Sequence, residues 1–278
     1  MMQAAIYGLE GLVLKEDERA FFLDAEPAGF ILFRRNCENQ EQLLRLTDSL
    51  RSIAGRDDVP ILIDQEGGRV ARMRPPEWPA FPAAEKFANL YRAAPSSAIE
   101  AVRANARALA LMLRSVGVNV NALPLLDVRQ EGATDIIGDR ALGSEPMQVA
   151  ALGRAVLDGM ASAGVIGIVK HMPGHGRALV DSHKELPIVT ASAEELEIDL
   201  EPFERLAAAP MFGVDSSELA VVAILALIFI GPKELPKALQ TLGYWIGRIR
   251  GMARHFTAGI ESMRDCRGLR LCRARRCC

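Results

Sequence analysis

The sequence predicts an α/β fold on a parallel sheet as far as about Pro210, followed by helices of a different character. Three observations carry this reading. Short β-rich apolar runs alternate with amphipathic helical stretches, as in successive βα units. Each apolar run ends in polar residues. After Pro210 the pattern stops, and Leu219–Ile230 is an unbroken apolar run.

Taken in order, the strands are expected at Gly29–Phe33, Pro60–Ile63, Val118–Leu126 and Val165–Val169, with a weaker one near Gly8–Leu14. Between them, Gln42–Ile53, Ser97–Val116 and Pro146–Ala163 space apolar residues three and four apart, as helices packed on a sheet do. Gly117 and Gly164 stand where C-terminal caps belong. Ser192 followed by Glu195 forms a capping box for a further helix running to about Ala208. Beyond Gly231-Pro232, Leu235, Leu239, Leu242, Ile246, Ile249, Ala253 and Phe256 share one helical face. The apolar run is shorter than the roughly 20 residues that comfortably span a bilayer, so length alone suits a buried helix and a membrane segment equally.

Half of the 278 residues are apolar, enough for a sizeable core, and the net charge of −2 is the small difference between 33 basic and 35 acidic residues. No global field draws such a chain to nucleic acid. Cys37 is the body's one cysteine; Cys266, Cys272, Cys277 and Cys278 sit among arginines at the end. That distribution offers no disulfide framework to the main domain and fits a reducing compartment. The N-terminus lacks the basic and apolar regions of a secretory signal, so a cytoplasmic location is expected for this part.

In a parallel α/β barrel, side chains at the C-terminal ends of the strands face a common mouth. Three runs fit that position. Asp64-Gln-Glu-Gly-Gly-Arg69 follows an apolar strand; Asp64 is the binding candidate, while Glu66 and Arg69 suit a structural ion pair as well as a site. Asn119–Asp127 and Asp135–Arg140 form the second group. Asp127 suits a structural hydrogen-bond network, and the Arg140 guanidinium, with several donors in a plane, suits a polyhydroxylated ligand. The third run, Lys170-His-Met-Pro-Gly-His-Gly176 with Asp181-Ser-His183, holds three of the chain's four histidines. Two chemistries are open there. A metal could take His171, His175, His183 and Asp181, although the spacing matches no zinc pattern. Alternatively, Asp181 could orient His183 as a general acid/base.

These runs resemble the β-N-acetylhexosaminidases of glycoside hydrolase family 3, which remove N-acetylglucosamine from cell-wall muropeptide fragments in bacterial recycling. The resemblance covers about residues 4–210 and rests on Gly29-Phe-Ile-Leu-Phe-Arg-Arg-Asn36, Asp64-Gln-Glu-Gly-Gly-Arg-Val70, Lys170–Gly176, Asp181-Ser-His183 and Asp199-Leu-Glu-Pro-Phe203, in that order. It implies a TIM (β/α)8-type barrel, incomplete here, because eight strands normally need about 250 residues. It implies that Asp64, Arg140, Lys170 and His171 hold the sugar ring, and that His183, paired with Asp181, is the acid/base of a retaining mechanism. No metal or cofactor is implied. The family's nucleophile is an aspartate at the end of a later strand; here the aspartates after Asp199 are Asp215 and Asp265, and neither follows a β pattern. Arg140-Ala-Leu-Gly143 also lacks the aromatic residue usual before that glycine.

Residues 211–264 resemble the start of the B component of the twin-arginine protein translocase, on Met211–Leu219, the apolar run, Gly231-Pro-Lys-Glu-Leu-Pro236 and Trp245–Arg254. That resemblance implies a short transmembrane helix, inner-membrane association through residues 219–232, translocase subunits as partners, and an amphipathic helix on the cytoplasmic surface. The expected organisation is therefore a hydrolase-like part at 1–210, a translocase-like part at 211–264 and a disordered Cys/Arg tail at 265–278. The two parts place conflicting demands on topology, which reads as a fusion of two neighbouring genes. Resequencing the locus in independent isolates would settle whether the frame is intact.

Overall fold

The computed structural model describes residues 2–133, 135–178 and 189–208, and its residues as far as Leu206 form one compact unit. Five strands make a single parallel sheet: β1 (Gln3–Gly8), β2 (Pro27–Leu32), β3 (Ile61–Ile63), β4 (Val120–Asn121) and β5 (Ile166–Gly167). Their spatial order is that of the chain, β1 to β5. A doubly wound sheet reverses direction part-way, whereas a barrel adds each βα unit on the same side. The sequential order is that of successive βα units added on one side, not that of a doubly wound sheet. A further parallel bridge, Leu125 to Lys170, continues the β4–β5 pairing past both strands.

The helices are α1 (Glu16–Ala25), α2 (Gln40–Ala54), α3 (Ala84–Ala93), α4 (Pro95–Ser115), α5 (Pro146–Ala161) and α6 (Ala193–Ala208). Local chemistry explains their limits. Asn39 caps α2 by accepting from the Gln42 N–H at 2.9 Å, and Gly55 ends it in the left-handed region. Pro95 and Pro146 open α4 and α5 at the first turn, where a missing N–H costs nothing. Gly117 and Gly164 follow them at φ +77 and +75, the expected C-terminal caps. The Ser192–Glu195 capping box forms in both directions, at 2.7 and 3.2 Å.

The buried faces follow helical spacing: Leu43, Leu46, Leu50 and Ile53 on α2, Val102, Ala106, Leu109 and Leu113 on α4, and Val149, Leu152, Val156 and Met160 on α5. They pack on Phe30, Leu32, Ile61 and Ile63 of the sheet. At Gly159 a Cβ would come within 2.3 Å of the Arg103 carbonyl oxygen, so glycine lets α5 press against α4.

Two sequence expectations need correction. The weak strand expected near Gly8–Leu14 lies earlier, at Gln3–Gly8, because Ile6, Tyr7 and Gly8 pair with Gly29, Phe30 and Ile31. Leu9–Leu14 is instead the loop leaving β1, held by Arg35 Nε to the Leu9 carbonyl at 2.7 Å and Asn36 Nδ2 to that of Gly11, also at 2.7 Å. The strand expected over Val118–Leu126 is regular only at Val120–Asn121, since the chain leaves the sheet before returning at the Leu125 bridge. Helices α1 and α3 were not expected from periodicity; each buries only one or two residues.

Among the described residues β1 and β5 are the sheet's edges, and Ile166 on β5 is 67 % exposed. No described helix is long and apolar enough to cross a membrane. The apolar run at 219–230 and the parts expected at 211–264 and 265–278 lie outside the described residues.

Candidate active site

Strand β3 is buried along its whole length and delivers Asp64 directly to the C-terminal end of the sheet. Gln65 then pins the turn that follows. Its backbone N–H donates to Asn121 Oδ1 at 3.0 Å, and its side-chain oxygen accepts from the N–H groups of Arg72 and Met73 at 2.8 and 3.1 Å. Gly67 lies at φ +99, and a Cβ there would meet the Pro82 carbonyl oxygen at 2.5 Å. Only glycine permits the turn that aims Glu66 inward.

Four of the expected binding residues converge at this end. Lys170 Nζ, beyond β5, donates to Asp64 Oδ1 at 2.8 Å and lies 2.7 Å from Glu66 Oε1. Arg140 Nε and Nη2 grip the two Glu66 oxygens at 2.8 Å each. Arg72 Nη2 reaches the other Asp64 oxygen at 3.2 Å. His171 follows Lys170 through a cis peptide, and its Nδ1 lies 2.7 Å from Asp127 Oδ2. Glu66, only 5 % exposed, is thus the shared acceptor for two cations from distant parts of the chain. Arg69 acts outside this group. It bonds Asp139 Oδ1 at 2.6 Å and the carbonyls of Asp135, Ile136 and Ile137, clamping the loop that carries Arg140.

Asp181 and His183, expected as the acid/base pair, lie outside the described residues. Among the described residues no three His, Cys, Asp or Glu side chains gather as a metal site.

The profile of the glycosyl hydrolase family 3 N-terminal domain matches residues 2–224. The chain belongs to this family. Residues 212–259 match a second profile, that of the mttA/Hcf106 family. A β-hexosaminidase of Alkalilimnicola ehrlichii is 37 % identical over 243 residues, covering 87 % of this chain and 66 % of its own. Another, from Aromatoleum aromaticum, is 38 % identical over 178 residues, 64 % of this chain and 49 % of its own. The chain thus spans about half to two thirds of the length of these relatives. Among solved structures, NagZ of Neisseria gonorrhoeae in complex with N-trifluoroacetyl-D-glucosamine superimposes with a TM-score of 0.68 at 35 % identity, covering 73 % of this chain and 59 % of that one. A family 3 β-N-acetylglucosaminidase from Paenibacillus gives 0.65 at 33 % identity, covering 73 % of this chain and 38 % of that one.

In this family 3 domain, sequence reasoning missed Glu66 as a hub and the contribution of Gln65, Arg72 and Asn121. Asn121 carried a signal, since a polar residue inside an apolar strand needs a buried partner. Arg72 carried none, because its pairing with Asp64 depends on the turn.

The charges follow the geometry. Burial pushes the Asp64 carboxyl up, but the hydrogen bond and charge of Lys170, joined by Arg72, outweigh it and hold the group below the usual range. For Arg140 burial works against the charge, and the paired Glu66 carboxylate more than compensates. Asp199 on α6 behaves oppositely: its burial raises it despite the 2.6 Å bond from Arg177 Nε.

The sign for Asp64 is definite. A carboxyl depressed on folding contributes stability above its unfolded pKa, about 3.9, and loses it as pH falls through the folded value. The stability gap between wild type and Asp64→Asn is therefore expected to be widest above about pH 4 and to close in stronger acid. Denaturant midpoints measured across the acid range check this; a gap independent of pH contradicts it.

Proposed function

We propose that residues 1–210 carry the amino-sugar site of a β-N-acetylhexosaminidase, with terminal N-acetylglucosamine of cell-wall muropeptide fragments as the ligand class. The carrying observation is the interlocked group of Asp64, Glu66, Arg140 and Lys170, with His171 beside it, at the C-terminal ends of β3 and β5. Arg140 and Lys170 present fixed donors and Asp64 an acceptor, the set a polyhydroxylated ring requires. In this reading Asp64, Arg140, Lys170 and His171 contact the ring. His183, polarised by Asp181, gives a proton to the leaving oxygen and later takes one from water.

Retention by double displacement further needs a carboxylate nucleophile. The aspartates that follow Asp199 in the sequence are Asp215, just before the apolar run, and Asp265, in the Cys/Arg tail. Neither follows a β pattern in the sequence, so the behaviour expected of these 278 residues is sugar binding with little turnover.

The test pairs two measurements on the purified full chain: titration with N-acetylglucosamine, and release of p-nitrophenol from its β-glycoside. Binding with slow or absent release is expected, and any release should vanish in His183→Ala. A folded protein that ignores the sugar at millimolar concentration would falsify the reading.

A second reading applies to residues 211–264, on the strength of the mttA/Hcf106 match at 212–259. There the segment 219–232, whose apolar run ends at Ile230, associates with the inner membrane, and the basic residues Lys233, Lys237, Arg248, Arg250 and Arg254 keep the following helix on the cytoplasmic side, where translocase subunits are the partners. Fractionation tests it: recovery only after detergent extraction supports membrane association, and recovery in the aqueous fraction removes it.

A further inference from the structure

The amino-sugar reading names His171 as a contact without saying what it offers the ligand; the surroundings of Asp127 supply that detail. Asp127 is fully buried, and its two oxygens serve different partners. Oδ1 accepts the backbone N–H groups of His171 and His175, at 3.3 and 2.7 Å, and so shapes the Lys170–Gly176 loop. Oδ2 faces the imidazole of His171, 2.7 Å from Nδ1. A carboxylate oxygen can only accept in that contact, so the hydrogen belongs to Nδ1. The ring is 41 % exposed, and with Nδ1 engaged by the buried carboxylate, Nε2 is the ring nitrogen left for a ligand.

We infer that Asp127 is a positioning residue that fixes His171 in the Nδ1–H tautomer, making Nε2 of the neutral ring a hydrogen-bond acceptor for a ligand hydroxyl. The inference rests on the amino-sugar reading for the ligand but not for the tautomer. It gives the site two acceptors, Asp64 and His171, against the donors Arg140 and Lys170. A hydroxyl that must both donate and accept is then satisfied where an ether or a methyl group at the same place is not.

The division of labour between the oxygens makes the inference testable without dismantling the loop. In Asp127→Asn the remaining oxygen can still take both backbone N–H groups, while an amide NH2 replaces Oδ2. That amide donates to Nδ1 only if the ring moves its hydrogen to Nε2, which turns the acceptor left for the ligand into a donor.

The experiment uses the full chain labelled with 15N, in buffer alkaline enough to leave imidazoles neutral. Long-range proton–nitrogen spectra distinguish the tautomers, and the His171 signals are identified by their loss in His171→Gln. The expected result is the Nδ1–H pattern in wild type and the Nε2–H pattern in Asp127→Asn. With it should come up to about tenfold weaker binding of N-acetylglucosamine, the loss of one neutral hydrogen bond, at an unchanged circular dichroism spectrum. An Nε2–H pattern in wild type, or no change of pattern in the variant, overturns the assignment. The predicted change of tautomer with unaltered affinity overturns the acceptor role. The predicted tautomers in a wild type that does not bind the sugar uphold the positioning of His171 and remove the amino-sugar reading instead.

Discussion

Glu66→Leu is expected to lower the unfolding free energy by about 3–5 kcal/mol, the usual cost of removing one partner from a buried ion pair. The substitution leaves Arg140, whose side chain is 13 % exposed, without the two 2.8 Å bonds that neutralise it. Lys170 suffers less, because Asp64 still accepts from it. The loss should therefore be largely an Arg140 effect. The double variant Glu66→Leu/Arg140→Met should recover a substantial part of it, since two apolar groups of similar size can replace a buried pair at small cost. Urea unfolding of the wild type, both single variants and the double variant forms the cycle. Strict additivity would show that the two side chains are not coupled, and the hub assigned to Glu66 would go. Glu66→Gln, which keeps one acceptor oxygen, should fall between the wild type and the leucine variant.

The second large effect is on ligand affinity. Lys170→Met should weaken N-acetylglucosamine binding by about 10–150-fold, corresponding to the roughly 1.5–3 kcal/mol of a hydrogen bond from a charged donor. Lys170 is the group that touches both carboxylates of the site, Asp64 at 2.8 Å and Glu66 at 2.7 Å. In the proposed amino-sugar site its loss removes a donor to the ring, and it leaves Asp64 steadied by Arg72 alone. Isothermal titration calorimetry measures the change, with Arg205→Ala as the control, since Arg205 pairs with Glu201 on the surface of α6. An affinity within twofold of wild type would separate Lys170 from the ligand and weaken the sugar-site reading as a whole.

Part of this architecture was readable from local chemistry. Ile61-Leu-Ile63 could only be a buried strand, and a carboxylate directly after it had to leave the sheet at its C-terminal end. Gly117, Gly164 and the Ser192–Glu195 pair marked helix ends because capping acts within a few residues of sequence. Asp64 and Arg140 could be singled out by their residue chemistry, whereas the set of Asp64, Arg140, Lys170 and His171 came from the family resemblance.

Their partnerships could not. Glu66 and Arg140 are 74 residues apart, and Asp64 and Lys170 are 106 apart. Nothing in either stretch shows which carboxylate receives which cation, because that depends on sheet order and on the turn at Gly67. The first strand was misplaced, at Gly8–Leu14 instead of Gln3–Gly8, for the same reason. Leu12-Val-Leu14 looked as apolar as Ala4-Ala-Ile6, and only the register against Gly29–Ile31 sent the former into a loop. The sequence by itself determined which side chains reach the strand ends, since periodicity and capping are local. The tertiary structure alone decided which of them meet, since a hydrogen bond across the sheet is set by strands that are neighbours in space and strangers in sequence.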